Sequence, residues 1–273
     1  MKKTMQPLFD THIHLDCLAA GTTLEEELTT AKKAGVNGWL VPGVRYGGWD
    51  RLLKLAQIEA AVRIAPGLHP LAATEWDESV SRRLAALLQR PESVAVGEIG
   101  LDAMLPVARD VQERVFRAQL QLAIDHRKPV VIHCRKAYAE SLKILREVRR
   151  DLPGGIMHAF GGSPELAKEA IDLGFGIGFG GTLTYPQARR APEVLRAISE
   201  EWIVLETDAP DMSPHPFRRE PNRPFRLQLV AEKVAEIKGW SLVDTAQVTR
   251  RNAMRILGLS EAAAPATLKV KNE

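Results

Sequence analysis

Phe9-Asp10-Thr11-His12-Ile13-His14-Leu15-Asp16 puts two histidines two residues apart, directly after an apolar start. In an extended strand, side chains at i and i+2 lie on one face. His12 and His14 are therefore expected to point the same way and to be able to grip one divalent cation. A lone strand histidine is ordinarily a packed or surface residue. Two imidazoles side by side and out of water need a shared partner.

The same form, a short apolar run ending in a polar residue or a glycine, recurs through the chain. It predicts strands over 8–14, 38–43, 62–67, 93–98, 129–133, 155–158, 175–179 and 202–206. Between them, amphipathic stretches with glycine or proline at their ends predict helices over 24–34, 49–60, 78–89, 111–126, 140–150, 164–173 and 192–199. Two more, 224–239 and 241–257, close the series. Short apolar strands suit a parallel sheet buried on both faces. Eight strand–helix units at about 31 residues each fit a closed α/β barrel, the TIM (β/α)8 architecture. No composition break or linker divides the chain, so residues 1–273 are read as a single barrel domain. The Ala- and Lys-rich tail after Leu259 is expected to fray.

Composition sets wide limits. The chain is 45% hydrophobic and 26% charged, with a formal net charge of +3, which permits an anionic substrate without demanding one. The basic start, residues 1–7, is not followed by an apolar signal core, and no apolar run reaches the roughly 20 residues that span a bilayer. A cytoplasmic protein with no membrane partner is expected, monomeric or weakly oligomeric. Cys17 and Cys134 are too few for a disulfide framework and are read as packing residues.

In such a barrel the reactive groups gather at the C-terminal ends of the strands. Polar residues fall there in turn: His12 and His14 at the first, Glu98 at the fourth, His133 at the fifth, His158 at the sixth and Asp208 just past the eighth. His69 follows the third. Imidazoles and carboxylates together suit one or two divalent ions such as Mg, Mn or Zn. His12, His14, Glu98 and Asp208 can hold one ion, and Glu98 can bridge to a second held by His133 and His158. Asp208 has the chemistry to take a proton from water. Glu206, with the parity of Asp208, is expected to orient a ligand, and Thr207 to point away.

The glycine run 176–181 lacks the context of a dinucleotide loop and fits close backbone approach in the barrel. Arg135, Lys136, Arg189, Arg190, Arg218, Arg219 and Arg223 follow strands five, seven and eight and are expected to rim the polar face, where they would attract phosphates. Arg135, two residues after His133, is expected on the same face as that histidine. Aromatics are too few for extensive base stacking.

With these residues laid out, the chain resembles the TatD family of metal-dependent hydrolases, and most closely its YjjV-type branch. The resemblance rests on FDTHIHLD (9–16), APGLHP (65–70), VAVGEIGLD (94–102), PVVIHCRKA (129–137), HAFGGS (158–163), GFGGTLTYP (178–186), LETDAPDM (205–212) and PNRP (221–224). It implies a TIM-barrel hydrolase of the metallo-dependent type, with one or two divalent ions and deoxyribonuclease activity on DNA. The implied metal ligands are His12, His14, Glu98, His133, His158 and Asp208. Asp208 and Glu98 are the expected catalytic groups; Arg135 and His69 are the expected holders of substrate phosphate. Ester or amide hydrolysis on the same site, such as deacylation of D-aminoacyl-tRNA, is the alternative. A non-catalytic binding barrel would show a broken ligand set, and here the set is intact. Leu71 after Pro70, and Ala103-Met104-Leu105 after Asp102, depart from the family's habit and bear on the substrate pocket.

Overall fold

A computed structural model describes residues 7–18 and 21–260. The first six residues of the basic start, and the tail from residue 261 on, for which fraying was expected, lie outside the described residues. The first half of the fold runs β1 (Leu8–Asp10), α1 (Leu24–Lys33), β2 (Val36–Pro42), α2 (Trp49–Ile58), β3 (Val62–Ala65), α3 (Glu78–Leu88), β4 (Val96–Asp102) and α4 (Arg109–Asp125). The second runs β5 (Val130–Arg135), α5 (Tyr138–Glu147), β6 (Gly155–Met157), α6 (Pro164–Asp172), β7 (Phe175–Phe179), α7 (Arg190–Ala197) and β8 (Ile203–Leu205). Then come α8 (Leu227–Lys238) and α9 (Leu242–Ile256).

Local chemistry starts and stops these elements. Thr23 and Glu26 form a reciprocal cap on α1: the Glu26 N–H donates to Thr23 Oγ1 at 3.2 Å, and the Thr23 N–H to Glu26 Oε2 at 2.9 Å. Asp77, Ser163 and Ser241 cap α3, α6 and α9 through the same kind of side-chain acceptor. Gly239 ends α8 in the left-handed region at φ 70, where a side chain would be strained.

All strand pairs are parallel. β1-β2-β3 form one run and β4-β5-β6-β7-β8 the other. Backbone hydrogen bonds join the two runs at both edges. Thr11 N–H reaches Leu205 O at 2.9 Å between β1 and β8, and Val94 N–H reaches Ile64 O at 3.0 Å between β3 and β4. The eight strands thus close into the (β/α)8 barrel of a TIM fold.

Two apolar layers hold it. Phe9, Leu40, Ala65, Val131, Ile156 and Val204 share the barrel interior, with Ala253, Met254 and Leu257 of the α9 region packed against them. The alternate residues, such as Trp39, Val41, Ile132, Met157 and Leu205, belong to the larger layer between strands and helices. Among the described residues, no helix is long and apolar enough to cross a membrane.

Two strands differ from the sequence reading in a way that matters. The run 93–98 was expected to end at Glu98, but β4 spans Val96–Asp102, with a register irregularity between Val96 and Ile99. Val96, Ile99 and Leu101 all lie in the outer layer, so Glu98 and Asp102 share the inner face. Gly100 serves the pairing beyond Glu98: a Cβ there would meet His133 O at 2.0 Å. β1, expected over 8–14, ends at Asp10, where its register also shifts. The chain beyond it stays threaded between neighbours. Ile13 N–H bonds Leu40 O, and His14 N–H bonds Ala209 O.

Candidate metal centre

The residues past the strand ends converge at one mouth of the barrel. His12 Nε2 lies 3.3 Å from Glu98 Oε2 and 3.6 Å from Asp208 Oδ1. His14 Nε2 lies 3.4 Å from the same Asp208 oxygen, so the paired histidines converge, with their rings edge-on at 5.1 Å. His158 stacks on His12 with ring centroids 3.4 Å apart, and its Nε2 is 3.7 Å from Asp208 and 3.8 Å from Glu98. His133 Nδ1 is 2.7 Å from Glu98 Oε1.

The ligand atoms form three groups: His12, His14 and Asp208; His12, Glu98 and His158; and His69, Glu98 and His133. All six residues expected to hold metal are therefore together, and Glu98 belongs to two groups. The grouping differs in one respect: His158 sits with His12 and Glu98, whereas His133 sits with His69 and Glu98.

The donor set fits a divalent ion. Both ring nitrogens of His12 are buried without a hydrogen-bond partner, an expensive arrangement unless something else is meant to use the ring's one free lone pair. Burial, and then the neighbouring His158, lower the His12 pKa, so the ring is neutral, as a ligand must be. Glu98 and Asp208 supply the anionic oxygens. Burial opposes their ionisation, but the imidazoles outweigh it. His12 and His158 hold Glu98 well below the usual carboxylate range, and His158 and His14 hold Asp208 below it. Burial likewise opposes charge on His14 and His133, yet bonds to Asp208 and to Glu98 respectively raise both. His158 is pushed up to about 10: burial works against the charged ring, and Glu206, Asp208 and Glu98 overcome it.

A second set of polar groups backs the first. Glu206 is fully buried, with Oε2 3.3 Å from His158 Nδ1 and Oε1 accepting the Ala159 N–H at 2.6 Å. This matches its expected orienting place, and it accounts for part of the glycine run: a Cβ at Gly178 would lie 2.4 Å from Glu206 Oε2. Thr207 points away, as expected, and donates to Asp10 Oδ2 at 2.6 Å. Asp10 Oδ1 also accepts the N–H groups of Thr207 and His12, tying the strand-one loop to the strand-eight loop. Burial pushes the Asp10 carboxyl up to about 8.

Asp102 was not singled out from sequence, yet its Oδ2 is 3.0 Å from His133 Nε2. Its signal was its even spacing from Glu98, hidden by ending that strand four residues early.

A cavity of about 1050 Å³ opens over this floor. His69 and Arg135 line it. Three other members of the basic rim are otherwise occupied. Arg223 bonds Glu27, Arg190 bonds Gly161 O, and Arg218 lies over the Tyr185 ring. Arg45 and Arg51, in and after the loop following β2, line the cavity instead, a contribution the strand-by-strand reading missed. Cys134 is buried, as expected, whereas Cys17 is an exposed residue of the cavity wall rather than a packing residue.

Comparison with known proteins agrees with this geometry. A family model described as TatD related DNase matches residues 9–258. The chain belongs to the TatD family. Within that family it is 35% identical over 254 residues to the metal-dependent hydrolase YabD of Bacillus subtilis, covering 93% of this chain and all of the relative. It is 33% identical to a protein of Citrobacter koseri named 3'-5' ssDNA/RNA exonuclease TatD, covering 93% of this chain and 100% of that one. The crystal structure of YjjV, a TatD homologue from Escherichia coli, superposes with a TM-score of 0.88 at 31% identity, covering 93% and 98% of the two chains. This TatD-family chain is a metal-dependent hydrolase on a TIM barrel.

Proposed function

We propose that this TatD-family hydrolase is a deoxyribonuclease that cleaves DNA phosphodiester bonds with a metal-activated water. One observation carries the reading: Glu98 turns Oε2 toward His12 and Oε1 toward His133 and His158, on the floor of a cavity that Arg135 and His69 also line. His12, His14 and Asp208 would hold one ion, and His133 and His158 a second, with Glu98 shared between them. Mg, Mn and Zn all accept such donors. Ions bound there would polarise a phosphoryl oxygen and lower the pKa of water.

The chain's own groups would do the rest. Asp208, held ionised, takes the water's proton. Glu98 keeps the two halves of the site in register. Arg135, exposed on the cavity wall, and His69 hold oxygens of the scissile phosphate. The relative named as an exonuclease on single-stranded DNA and RNA supports a nucleic-acid substrate.

The test is a substrate panel on chelated protein, with Mg, Mn, Zn or Co added back singly. Single- and double-stranded DNA, aminoacyl-tRNA and a simple phosphodiester form the panel. Metal-dependent cleavage of DNA is expected. Hydrolysis of aminoacyl-tRNA alone would replace the nuclease reading with an ester-hydrolysing one.

A further inference from the structure

Asp208 has φ 56, in the left-handed region that residues with a side chain seldom occupy. In that conformation its carboxylate is divided among the histidines. Oδ1 lies 3.4 Å from His14 Nε2 and 3.6 Å from His12 Nε2, and Oδ2 lies 3.7 Å from His158 Nε2. A costly backbone conformation persists only where the surroundings over-determine it. Here the peptide unit between Thr207 and Asp208 is held at both ends. Its N–H donates to His12 O at 2.9 Å, and its carbonyl accepts a hydrogen bond from Asn222 Nδ2 at 2.7 Å. Rotation of that unit would change the φ of Asp208, and both bonds oppose it.

Asn222 lies in the stretch Pro221-Asn222-Arg223-Pro224 and is 3% exposed. Its own N–H donates to Pro210 O at 2.7 Å, so the residue grips the chain both before and after Asp208. Its Oδ1 accepts the Arg223 N–H at 2.8 Å, which leaves Nδ2 as the group that faces Thr207 O. The grip is anchored from outside. Arg223 Nε donates at 2.9 Å to Oε1 of Glu27, a buried carboxylate of α1, and Arg226 Nη1 donates to Pro221 O at 2.9 Å. We propose that Asn222 is a positioning residue for Asp208: it holds the backbone in the left-handed turn that aims both carboxylate oxygens at the ligand histidines. The proposal rests on the reading of Asp208 as a metal ligand, and not on the identity of the substrate. A ligand is held only as firmly as the groups that orient it.

Asn222→Ala removes the amide, and Asn222→Leu keeps its branched shape without a donor. Asn252 provides a matched control. It is 1% exposed, and its Nδ2 donates to Glu200 O and Ile203 O at the start of β8, the end away from the ligands. Mn-loaded proteins are titrated with a competing chelator at a temperature below the unfolding transition of every variant, with Asp208→Ala alongside. Mn affinity is expected to fall about 10- to 100-fold in both Asn222 variants and to stay within about twofold in Asn252→Ala. Wild-type affinity in Asn222→Leu would make the side chain a packing residue and overturn the proposal. An equal loss in Asn252→Ala would overturn it too, because the effect would then be a general loosening of the barrel. Where Asn222→Ala does not fold, the Leu variant decides. If Asp208→Ala binds Mn as wild type does, the reading of Asp208 as a ligand is what falls. A loss there with none in the Asn222 variants sinks the positioning role alone.

Discussion

Asp102 Oδ2 lies 3.0 Å from Nε2 of His133, on the opposite side of the ring from Glu98, which is 2.7 Å from Nδ1. The carboxylate accepts a hydrogen bond from Nε2–H and so fixes the ring with Nδ1 facing the shared ligand Glu98, the nitrogen that would be free to ligate an ion once its own proton is displaced. Asp102→Ala is expected to weaken metal binding by about 10- to 100-fold without unfolding the barrel. Titration of the chelated variant with Mn or Zn checks this; affinity equal to wild type would mean that Asp102 only packs.

Glu98 is common to two ligand groups, so its loss is felt on both sides of the site. Glu98→Ala is expected to lower the metal content per chain and to abolish hydrolysis. An unchanged metal count by elemental analysis would sink the shared role.

Asp208→Asn keeps the shape and one oxygen but cannot accept a proton. Turnover is expected to drop about 10³-fold, within the range for loss of a general base, with thermal stability little changed. Near-normal turnover would remove Asp208 as the base.

The pH dependence of the chelated protein follows from His158, whose pKa is raised from 6.5 to about 10 by Glu206, Asp208 and Glu98 against the cost of burial. A raised folded-state pKa stabilises the fold fully below 6.5, and that contribution is lost as pH rises through about 10. Metal binding needs the neutral ring, so affinity runs the other way and rises over the same window, by about tenfold per pH unit for one released proton. Unfolding midpoints and metal titrations across this range should show opposite slopes; parallel slopes would mean that the His158 proton is not displaced.

Gly100 has φ 143, and a Cβ there would meet the carbonyl oxygen of His133 at 2.0 Å. Gly100→Ala is expected to cost about 3 kcal/mol or more, through strain and a forced parting of β4 from β5. Denaturant unfolding measures it, and a loss under about 1 kcal/mol would show that the strands adjust freely.

Much of this was legible because polar residues stood out against the apolar runs before them. His12, His14, Glu98, His133, His158 and Asp208 each broke such a run, and the alternation of strands with helices located them on one face. Asp102 was not legible, because the polar Glu98 closed the apolar run 93–98, whereas the strand runs on through Gly100, which lets β4 and β5 approach closely. Arg45 and Arg51 lie in and after a loop, where no periodicity says which way a side chain turns. Arg190, Arg218 and Arg223 were misplaced for the converse reason. Order along the chain gave their neighbourhood, but partners such as Glu27 for Arg223 come from distant sequence.

The division of the ring into a run of three strands and a run of five has a practical side. The former carries or leads into His12, His14 and His69; the latter supplies Glu98, His133, His158 and Asp208. A cut in the turn between α3 and β4, near Arg90 and Pro91, would leave neither piece with a full set of donors. Recovered hydrolysis on mixing the two pieces would then report docking alone, with no background from either partner, making the barrel a candidate split reporter for proteins fused to its halves.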